Sequence, residues 1–286
     1  MSRNAFSFCH PAVPALWFAL ILGFAFTAFH PVMLALALAC CWIWWGRLGG
    51  RPRGAALMPL LLAAALLNPL FSHEGVTVLS RFPSGNPLTL ESVLFGLGAA
   101  LMLGAALTCA GCMSRVMTAD RWMCLLGHGA PILSLLLSMS LGAIPRLRAR
   151  LAQTAAAQRQ MARGDEGRLE RAGLALRSAG AALGWALEDA LVRADSMAGR
   201  GYGLPGRTSY TSYRLGTRDR QLLLLMACAG GYLLLMACAG GLSWRYYPSV
   251  KWSGLSLWSL SALVDWAALC ALPLYLEWRE GRKWPG

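Results

Sequence analysis

Long apolar runs separated by short polar loops are the feature that most constrains what this chain can fold into. Hydrophobic residues make up 57% of the 286 residues and charged residues only 14%, with a mean hydropathy of +0.49. This balance is typical of a polytopic membrane protein and lies outside the usual range of soluble domains. Because lipid offers the backbone no hydrogen-bond partner, such runs cross a bilayer as helices. We therefore predict an all-α membrane protein with about six transmembrane helices and a cytoplasmic or interfacial helical region.

Six runs are predicted as spans from their length and composition. The first ends at His30-Pro31, because proline disfavours helix in the residue before it. The second closes with Trp42, Trp44 and Trp45, which we assign to the aromatic belt at the membrane surface. The fifth contains the sequence LLLMACAGG twice, a local duplication to which we assign no function. The six runs are residues 13–29, 32–45, 55–71, 92–110, 222–242 and 255–276.

The distribution of positive charge predicts which loops are cytoplasmic. The chain has 26 basic and 13 acidic residues, a net charge of +13. Such a balance can indicate nucleic-acid binding, but in so apolar a chain the excess of Lys and Arg in cytoplasmic loops explains it better. Residues 46–54 and 277–286 are basic, whereas residues 72–91 carry Arg81 as their only basic side chain. We expect a multi-pass membrane protein with both termini cytoplasmic, a lipid-bilayer environment and no nucleic-acid partner.

The apolar residues 131–144 raise a question of sidedness. If they crossed the membrane, the stretch that follows them would lie outside, although it holds fourteen of the 26 basic residues. Only thirteen residues separate Pro131 from Pro145, and a run of about 10–14 residues is typical of an interfacial or re-entrant segment. We therefore predict that residues 131–144 lie along or dip into the cytoplasmic face and lead directly into an arginine-rich helix.

Three parts follow from this topology. Residues 1–130 hold the first four transmembrane helices, and residues 221–286 hold the last two. Residues 131–220 form the cytoplasmic helical part between them.

Two helices of the cytoplasmic part end on the same kind of sequence. Good helix formers in residues 146–161 lead to Ala162-Arg163-Gly164, and a second helix leads to Gly199-Arg200-Gly201. Glycine is favoured just past a helix end, and a cation in the last turn complements the helix dipole. The two arginines are therefore either ordinary helix ends or contact points for partner proteins. The residues alone leave both interpretations open.

The second cytoplasmic helix also carries an apolar face. Its large members recur at helical spacing and are Leu169, Leu176, Leu183, Leu187 and Leu191. We expect this face to pack on the membrane helices or on the preceding helix. The polar side of the same helix comprises Arg168, Arg171, Ser178, Glu188, Asp189, Arg193 and Asp195.

Further short motifs accompany the two arginine motifs in a fixed order along the chain. They are Asn68-Pro69-Leu70-Phe71, Gly85-Asn86-Pro87-Leu88-Thr89-Leu90-Glu91, Met117-Thr118-Ala119-Asp120, Arg207-Thr208, Tyr210 and Tyr213. Together with the two arginine motifs, this order resembles the transmembrane T component of energy-coupling factor (ECF) transporters, which import vitamins or transition-metal ions. The resemblance covers most of the chain. One departure is Gly199, where the family usually has alanine.

The resemblance implies a scaffold and energy-coupling subunit of a prokaryotic cell membrane that is not an enzyme. The two arginine motifs, residues 162–164 and 199–201, would bind two ABC-type ATPase subunits through Arg163 and Arg200. Those ATPases would bind the ATP, so no cofactor is expected in this chain. The leucine face of residues 169–191 would contact a membrane-embedded substrate-binding subunit, the S component. The cargo, a vitamin or a metal ion, would be selected by that other polypeptide.

The sequence contains no recognisable catalytic pattern. Neither lysine follows a glycine-rich phosphate-binding loop, so ATP hydrolysis by this chain is not expected. The four histidines are scattered, and Cys109-Ala-Gly-Cys112 has no second ligand pair nearby, so no metal site is predicted. An enzyme embedded in the membrane is therefore disfavoured.

A self-sufficient secondary transporter or channel is the alternative function. Such proteins require polar or ionisable residues within their spans. The predicted spans contain few of them, and Asp265 in the last span is the clear exception.

Overall fold

The computed structural model describes residues 6, 9–49, 54–71, 75–81, 87–161, 168–205, 213–246, 249, 251–252 and 256–283. Within these ranges the chain forms nine helices and two short antiparallel hairpins. The helices are α1 (Ala12–Thr27), α2 (Pro31–Arg47), α3 (Gly54–Phe71), α4 (Leu90–Val116), α5 (Ala119–Gly129), α6 (Pro131–Met161), α7 (Arg168–Gly199), α8 (Thr217–Cys238) and α9 (Leu257–Lys283). The strands are β1 (Val78–Arg81), β2 (Pro87–Thr89), β3 (Trp244–Arg245) and β4 (Lys251–Trp252).

The chain divides into two compact units. One comprises Met1–Trp122 and Tyr213–Gly286 and is called the bundle unit below. The other comprises Met123–Ser212 and is called the insert unit. The bundle unit contains α1 to α4, α8, α9 and both hairpins, and the insert unit contains α6 and α7.

The core of the bundle unit is built around three tryptophans. Helix α4 packs against α1, α2 and α3, and α9 packs against α2 and α8. Trp17, Trp44 and Trp266 are each at most 1% exposed. Their indole N–H groups donate to the Leu269 carbonyl at 2.8 Å, to the Glu277 carboxylate at 2.8 Å and to the Met33 carbonyl at 3.0 Å, respectively. Because a buried N–H needs a partner, these bonds allow the large rings to enter the core and connect α9 to α1 and α2.

The position of Trp44 corrects one prediction. The sequence places it with Trp42 and Trp45 in an aromatic belt, but Trp44 is completely buried, whereas Trp42 is 38% exposed. The Trp44 ring meets the Trp17 ring edge-on, with their centroids 5.3 Å apart. Neighbouring helical residues point about 100° apart, so three aromatic residues within one turn do not share one environment.

Arg121 connects the N-terminal segment to the end of α4. The residue is 8% exposed, and its guanidinium donates to the Val116 carbonyl at 3.0 Å and to the Phe6 carbonyl at 2.9 Å. Phe6 is fully buried beside Trp17 and Trp44. Hydrogen bonds from a charged donor are stronger than neutral ones, so Arg121 stabilises the fold at this end of the bundle unit.

The first hairpin replaces part of what the sequence shows as a polar loop. Strands β1 and β2 pair antiparallel, with Ser80 opposite Leu88. Just after β2, the Thr89 hydroxyl accepts the Ser92 N–H at 3.4 Å and caps α4. The Glu91 carboxylate accepts the Thr77 N–H at 3.3 and 3.4 Å, which fixes the segment before β1 to the start of α4.

The second hairpin lies between α8 and α9. Trp244 of β3 pairs with Trp252 of β4. Tyr246, just after β3, packs its ring on Phe29 and Phe95 with centroid distances of 5.2 and 5.5 Å. Burial raises the pKa of Tyr246 to about 12. The ring contacts of Tyr246 connect the turn between α1 and α2 to the start of α4.

The structure confirms an all-α membrane protein, with a different set of long helices from the one predicted. Among the described residues, four helices are long and apolar enough to cross a membrane: Leu90–Val116, Pro131–Gln158, Thr217–Cys238 and Leu257–Arg279. Three of the six predicted spans correspond to shorter apolar helices, Ala12–Thr27, Pro31–Arg47 and Pro59–Pro69. The count of about six spans is therefore not confirmed.

Helix α6 differs from the short segment expected between Pro131 and Pro145. It runs without interruption through Pro145 to Met161, a total of 31 residues. A proline inside a helix removes one backbone hydrogen bond, but the flanking residues here are good helix formers and carry the helix onward. Helix α6 is therefore not limited to the thirteen residues between Pro131 and Pro145 and is long enough to cross a membrane.

Candidate functional site

The insert unit is a pair of long helices, α6 and α7, that pack against each other. The packed side of α7 consists of residues that recur every three or four positions and are buried or half-buried. They are Leu174, Ser178, Ala182, Trp185, Ala186, Asp189, Arg193 and Met197. Most of these side chains are small or polar, so this side differs from the leucine-rich face that the sequence emphasises.

Small residues allow α6 and α7 to approach closely along the first half of the packed side. Ala182 is 1% exposed and Ser178 is 4% exposed. The Ser178 hydroxyl donates to the Leu174 carbonyl of its own helix at 2.8 Å. Because that bond satisfies the hydroxyl locally, Ser178 behaves as a small residue in the contact.

Larger and charged side chains line a cleft further along the same side. The guanidinium of Arg150 on α6 lies over the Trp185 ring on α7, 4.6 Å from its centroid, a distance typical of a cation–π contact. One turn after Trp185, Asp189 forms an ion pair with Arg193. The cleft has a volume of about 300 Å³ and is lined by Met139, Ser140, Ala143, Arg146, Leu147, Trp185, Ala186, Asp189, Ala190 and Arg193.

The leucine face of α7 lies on the opposite side of the helix from the packed side, at about 3.6 residues per turn. Its members are strongly exposed, with Leu176 at 79%, Leu183 at 62%, Leu187 at 62% and Leu191 at 69%. The face therefore does not pack on the preceding helix, one of the two partners expected for it, and packing on the membrane helices stays a prediction. The side that the sequence shows as polar contains Ser178, Asp189 and Arg193, which face α6. The leucines form an uncovered apolar stripe, called the leucine stripe below.

The C-terminal end of α7 has a defined cap. The Tyr202 N–H donates to the Met197 carbonyl at 3.0 Å, and the Gly201 N–H donates to the Ala198 carbonyl at 3.0 Å. Gly201 adopts a φ of +81°, in the left-handed region. These two bonds and the left-handed glycine form a Schellman motif, with Arg200 as the last residue before the chain turns.

Arg200 is exposed at this helix end. Its backbone N–H donates to the carbonyls of Ser196 and Met197 at 3.2 and 3.1 Å, so the residue is fixed to the last turn of α7. A methyl group added at Gly199 would meet no heavy atom within 4 Å. Glycine in place of the usual alanine is therefore not required by any close contact at this position.

Several other residues of the predicted site lie outside the described part of the chain. They are Ala162, Arg163, Gly164, Arg207, Thr208 and Tyr210, and the side chain of Leu169. In sequence, Arg163 precedes α7 and Arg200 follows it. Helix α7 has 32 residues and spans roughly 46 Å from its first Cα to its last.

The motifs that resemble the ECF family in the bundle unit take part in packing. The Asn68 amide donates to the Ser92 carbonyl at 2.9 Å and joins α3 to α4. Gly96, which lies outside these motifs, allows α3 and α4 to approach, because a methyl group added there would lie 2.5 Å from the Ala65 carbonyl oxygen. Thr118 accepts backbone N–H groups from Arg121 and Trp122 at the start of α5. These residues hold the bundle unit together.

Sequence reasoning missed the cleft between α6 and α7. Two patterns could have indicated it. Asp189 and Arg193 are four residues apart and of opposite charge, the spacing of a helical ion pair. Ser178, Ala182 and Ala186 repeat at four-residue intervals, which is typical of a close helix contact.

Among the residues that the structure describes, no three His, Cys, Asp or Glu side chains are grouped as metal ligands. What the insert unit offers is an exposed arginine at a helix end, an uncovered leucine stripe and a basic cleft. These features are suited to binding other molecules.

Comparison of the chain with protein-family models and with curated proteins found no match.

Proposed function

We propose that this chain is the membrane scaffold and energy-coupling subunit of an ECF-type ABC importer. It would transmit conformational changes of two ABC-type ATPases to a separate membrane subunit that binds a vitamin or a metal ion. The observation that carries the proposal is the exposed Arg200 in the Schellman cap of α7, a helix that also presents an uncovered leucine stripe. The ordered motifs of the sequence support the same assignment.

Arg200 has the properties required of a docking residue. A guanidinium presents five N–H donors in a planar fork that matches a carboxylate. The cap fixes the Arg200 backbone to the last turn of α7, so less conformational freedom is lost when the side chain binds. Arg163 precedes α7 in the chain and is proposed to contact the second ATPase in the same way.

The exposure of the leucine stripe is the evidence for contact with a second partner. Leu176, Leu183, Leu187 and Leu191 are 62–79% exposed, and contiguous apolar surface of this kind marks contact with lipid or another protein. We assign it to the substrate-binding membrane subunit. Movement of α7, driven through Arg200 at its end, would then reach that subunit through the same rigid helix.

A secondary transporter or channel is the alternative, and one observation favours it. Asp265 lies in α9, within the candidate span Leu257–Arg279. Its Oδ2 atom is buried and has no hydrogen-bond partner within the described structure. One turn earlier, the Ser261 hydroxyl forms a 2.6 Å hydrogen bond with the Tyr232 hydroxyl of α8. An ionisable group inside a membrane is by default a candidate for ion or proton movement.

The test of the coupling role is a double charge reversal. Arg163→Glu with Arg200→Glu should abolish ATP-driven uptake and co-purification of the ATPases, because each arginine would be replaced by a charge that repels a carboxylate. Membrane insertion should be retained. The matched control is Arg148→Glu with Arg177→Glu, which changes the net charge equally at exposed positions within α6 and α7. Undiminished recovery of ATPases with the 163/200 variant would refute the proposal.

Asp265 separates the two candidate functions. For a coupling subunit, the purified chain in vesicles transports nothing alone, and Asp265→Asn changes nothing in that assay. For a secondary transporter or channel, the chain alone supports uptake that Asp265→Asn abolishes. The substrate does not have to be known for this uptake assay if a panel of labelled vitamins and divalent cations is used.

A further inference from the structure

We propose that the cleft between α6 and α7 binds the headgroup of an anionic phospholipid. This site lies within the insert unit and does not depend on the two arginine motifs. It assigns a specific ligand to a surface that is otherwise only a basic groove.

The shape and lining of the cleft fit an amphipathic ligand. Its volume of about 300 Å³ is at the lower end of small-molecule sites, enough for a glycerophosphate headgroup. The apolar part of the wall is formed by Met139, Ala143, Leu147, Trp185, Ala186 and Ala190. Acyl chains can therefore leave the cleft along apolar surface while the phosphate stays at its polar edge.

The charges around the cleft are complementary to an anion. Arg146 and Arg193 line it, with Asp189 as the only acidic residue among the lining residues. Arg150 adds a further positive charge over the Trp185 ring. Asp189 is paired with Arg193, so the cleft keeps a net positive charge.

Arg146 is held so that its guanidinium faces the apolar half of α6. Its Nε donates to the Gly142 carbonyl at 3.0 Å. A methyl group added at Gly142 would come within 3.6 Å of Arg146 Nη2, so the guanidinium lies back over the preceding turn. An arginine fixed in this way can present its remaining N–H donors to a phosphate.

The cleft lies where α6 changes from apolar to basic residues. Residues 131–144 are apolar. Arg146, Arg148 and Arg150 follow directly after that apolar part. Basic pockets between helices at such a boundary are the kind that bind anionic headgroups. The combination of apolar wall, net positive charge and boundary position favours a lipid over a carboxylate of a soluble partner.

Native mass spectrometry of the full-length chain in mild detergent tests the proposal. The probes are dioleoyl phosphatidylglycerol, which is anionic, and dioleoyl phosphatidylcholine, which has the same acyl chains and no net charge. We expect one phosphatidylglycerol to bind preferentially. Arg146→Gln should weaken that binding about tenfold, because a hydrogen bond to a charged group is lost. Arg148→Gln is the matched control, since Arg148 is exposed on the same helix and does not line the cleft.

Two further variants separate site binding from general attraction to a basic surface. Ala143→Phe fills the cleft without changing the charge and should also remove the preferred lipid. Asp189→Asn removes the acidic residue and should tighten binding. Size-exclusion profiles check that each variant is folded, and if one is not, the others decide. Equal weakening by Arg148→Gln, full binding by Ala143→Phe, or equal affinity for both lipids would overturn the proposal. Inorganic phosphate added at millimolar concentration should not displace the lipid, and displacement would mean that the site selects free phosphate.

Discussion

The bundle unit and the insert unit are both helical and rich in leucine, but they bury their apolar side chains in opposite ways. In the bundle unit, Trp17, Trp44 and Trp266 are at most 1% exposed and each has a hydrogen-bond partner. In the insert unit, the leucines of α7 are exposed and the packed side contains small and charged residues. Because lipid is as apolar as a leucine side chain, the bundle helices stabilise one another through close packing and these hydrogen bonds. The insert unit instead presents apolar and basic surface to other molecules.

The largest effect that tests this comparison is expected in the bundle core. Trp266→Ala should destabilise the detergent-solubilised chain by about 3–5 kcal/mol, because it leaves a cavity beside Phe24 and removes the bond to the Met33 carbonyl. Trp258→Ala on the same helix is the control, since Trp258 is 66% exposed. Thermal unfolding followed by near-ultraviolet circular dichroism measures both. Equal loss of stability for the two variants would show that the core assigned to the bundle unit is not the stabilising one.

Substitutions of two glycines are expected to have effects of intermediate size on stability. Gly96→Ala in α4 should destabilise the chain by about 1–3 kcal/mol, because the new methyl group would lie 2.5 Å from the Ala65 carbonyl oxygen of α3. Gly184→Ala in α7 meets no heavy atom within 4 Å and should stabilise its helix, by up to about 1 kcal/mol. Unfolding midpoints in the same detergent compare the two. If both variants lose stability to the same extent, α7 is packed as closely as α4 and the contrast between the units fails.

Much of the bundle unit could be predicted from the sequence. The run at residues 13–29 corresponds to Ala12–Thr27, and the run at 55–71 to Gly54–Phe71. The break at His30-Pro31 is also found, because Pro31 begins α2. These features depend on local properties, hydrophobicity and proline geometry, which a single sequence contains.

Features that depend on distant contacts could not be predicted. Strands of two to four residues, such as Trp244–Arg245, are too short to show alternation. The prediction of which side of α7 packs on α6 was wrong for a different reason. Both sides of the helix show a helical repeat, one of leucines and one containing Ser178, Ala182 and Ala186. A prediction based on hydrophobicity takes the leucine side as the packed one. Only the partner helix α6 decides that the small residues are the ones that pack.

The smallest effect on stability is expected on the leucine stripe. Leu187→Gln should change the unfolding free energy of the chain by less than about 0.5 kcal/mol, because Leu187 is 62% exposed and loses no packing partner. Leu269→Ala in α9 is the contrasting variant: Leu269 is 3% exposed, and its loss should cost about 2–5 kcal/mol. The proposed function adds a second measurement, since Leu187→Gln should weaken co-purification of the membrane partner while leaving the ATPases bound. A stable chain that keeps its membrane partner would mean that the stripe faces lipid. A chain destabilised as much as by Leu269→Ala would mean that the stripe belongs to a core, and the two units would then differ less than their exposed surfaces indicate.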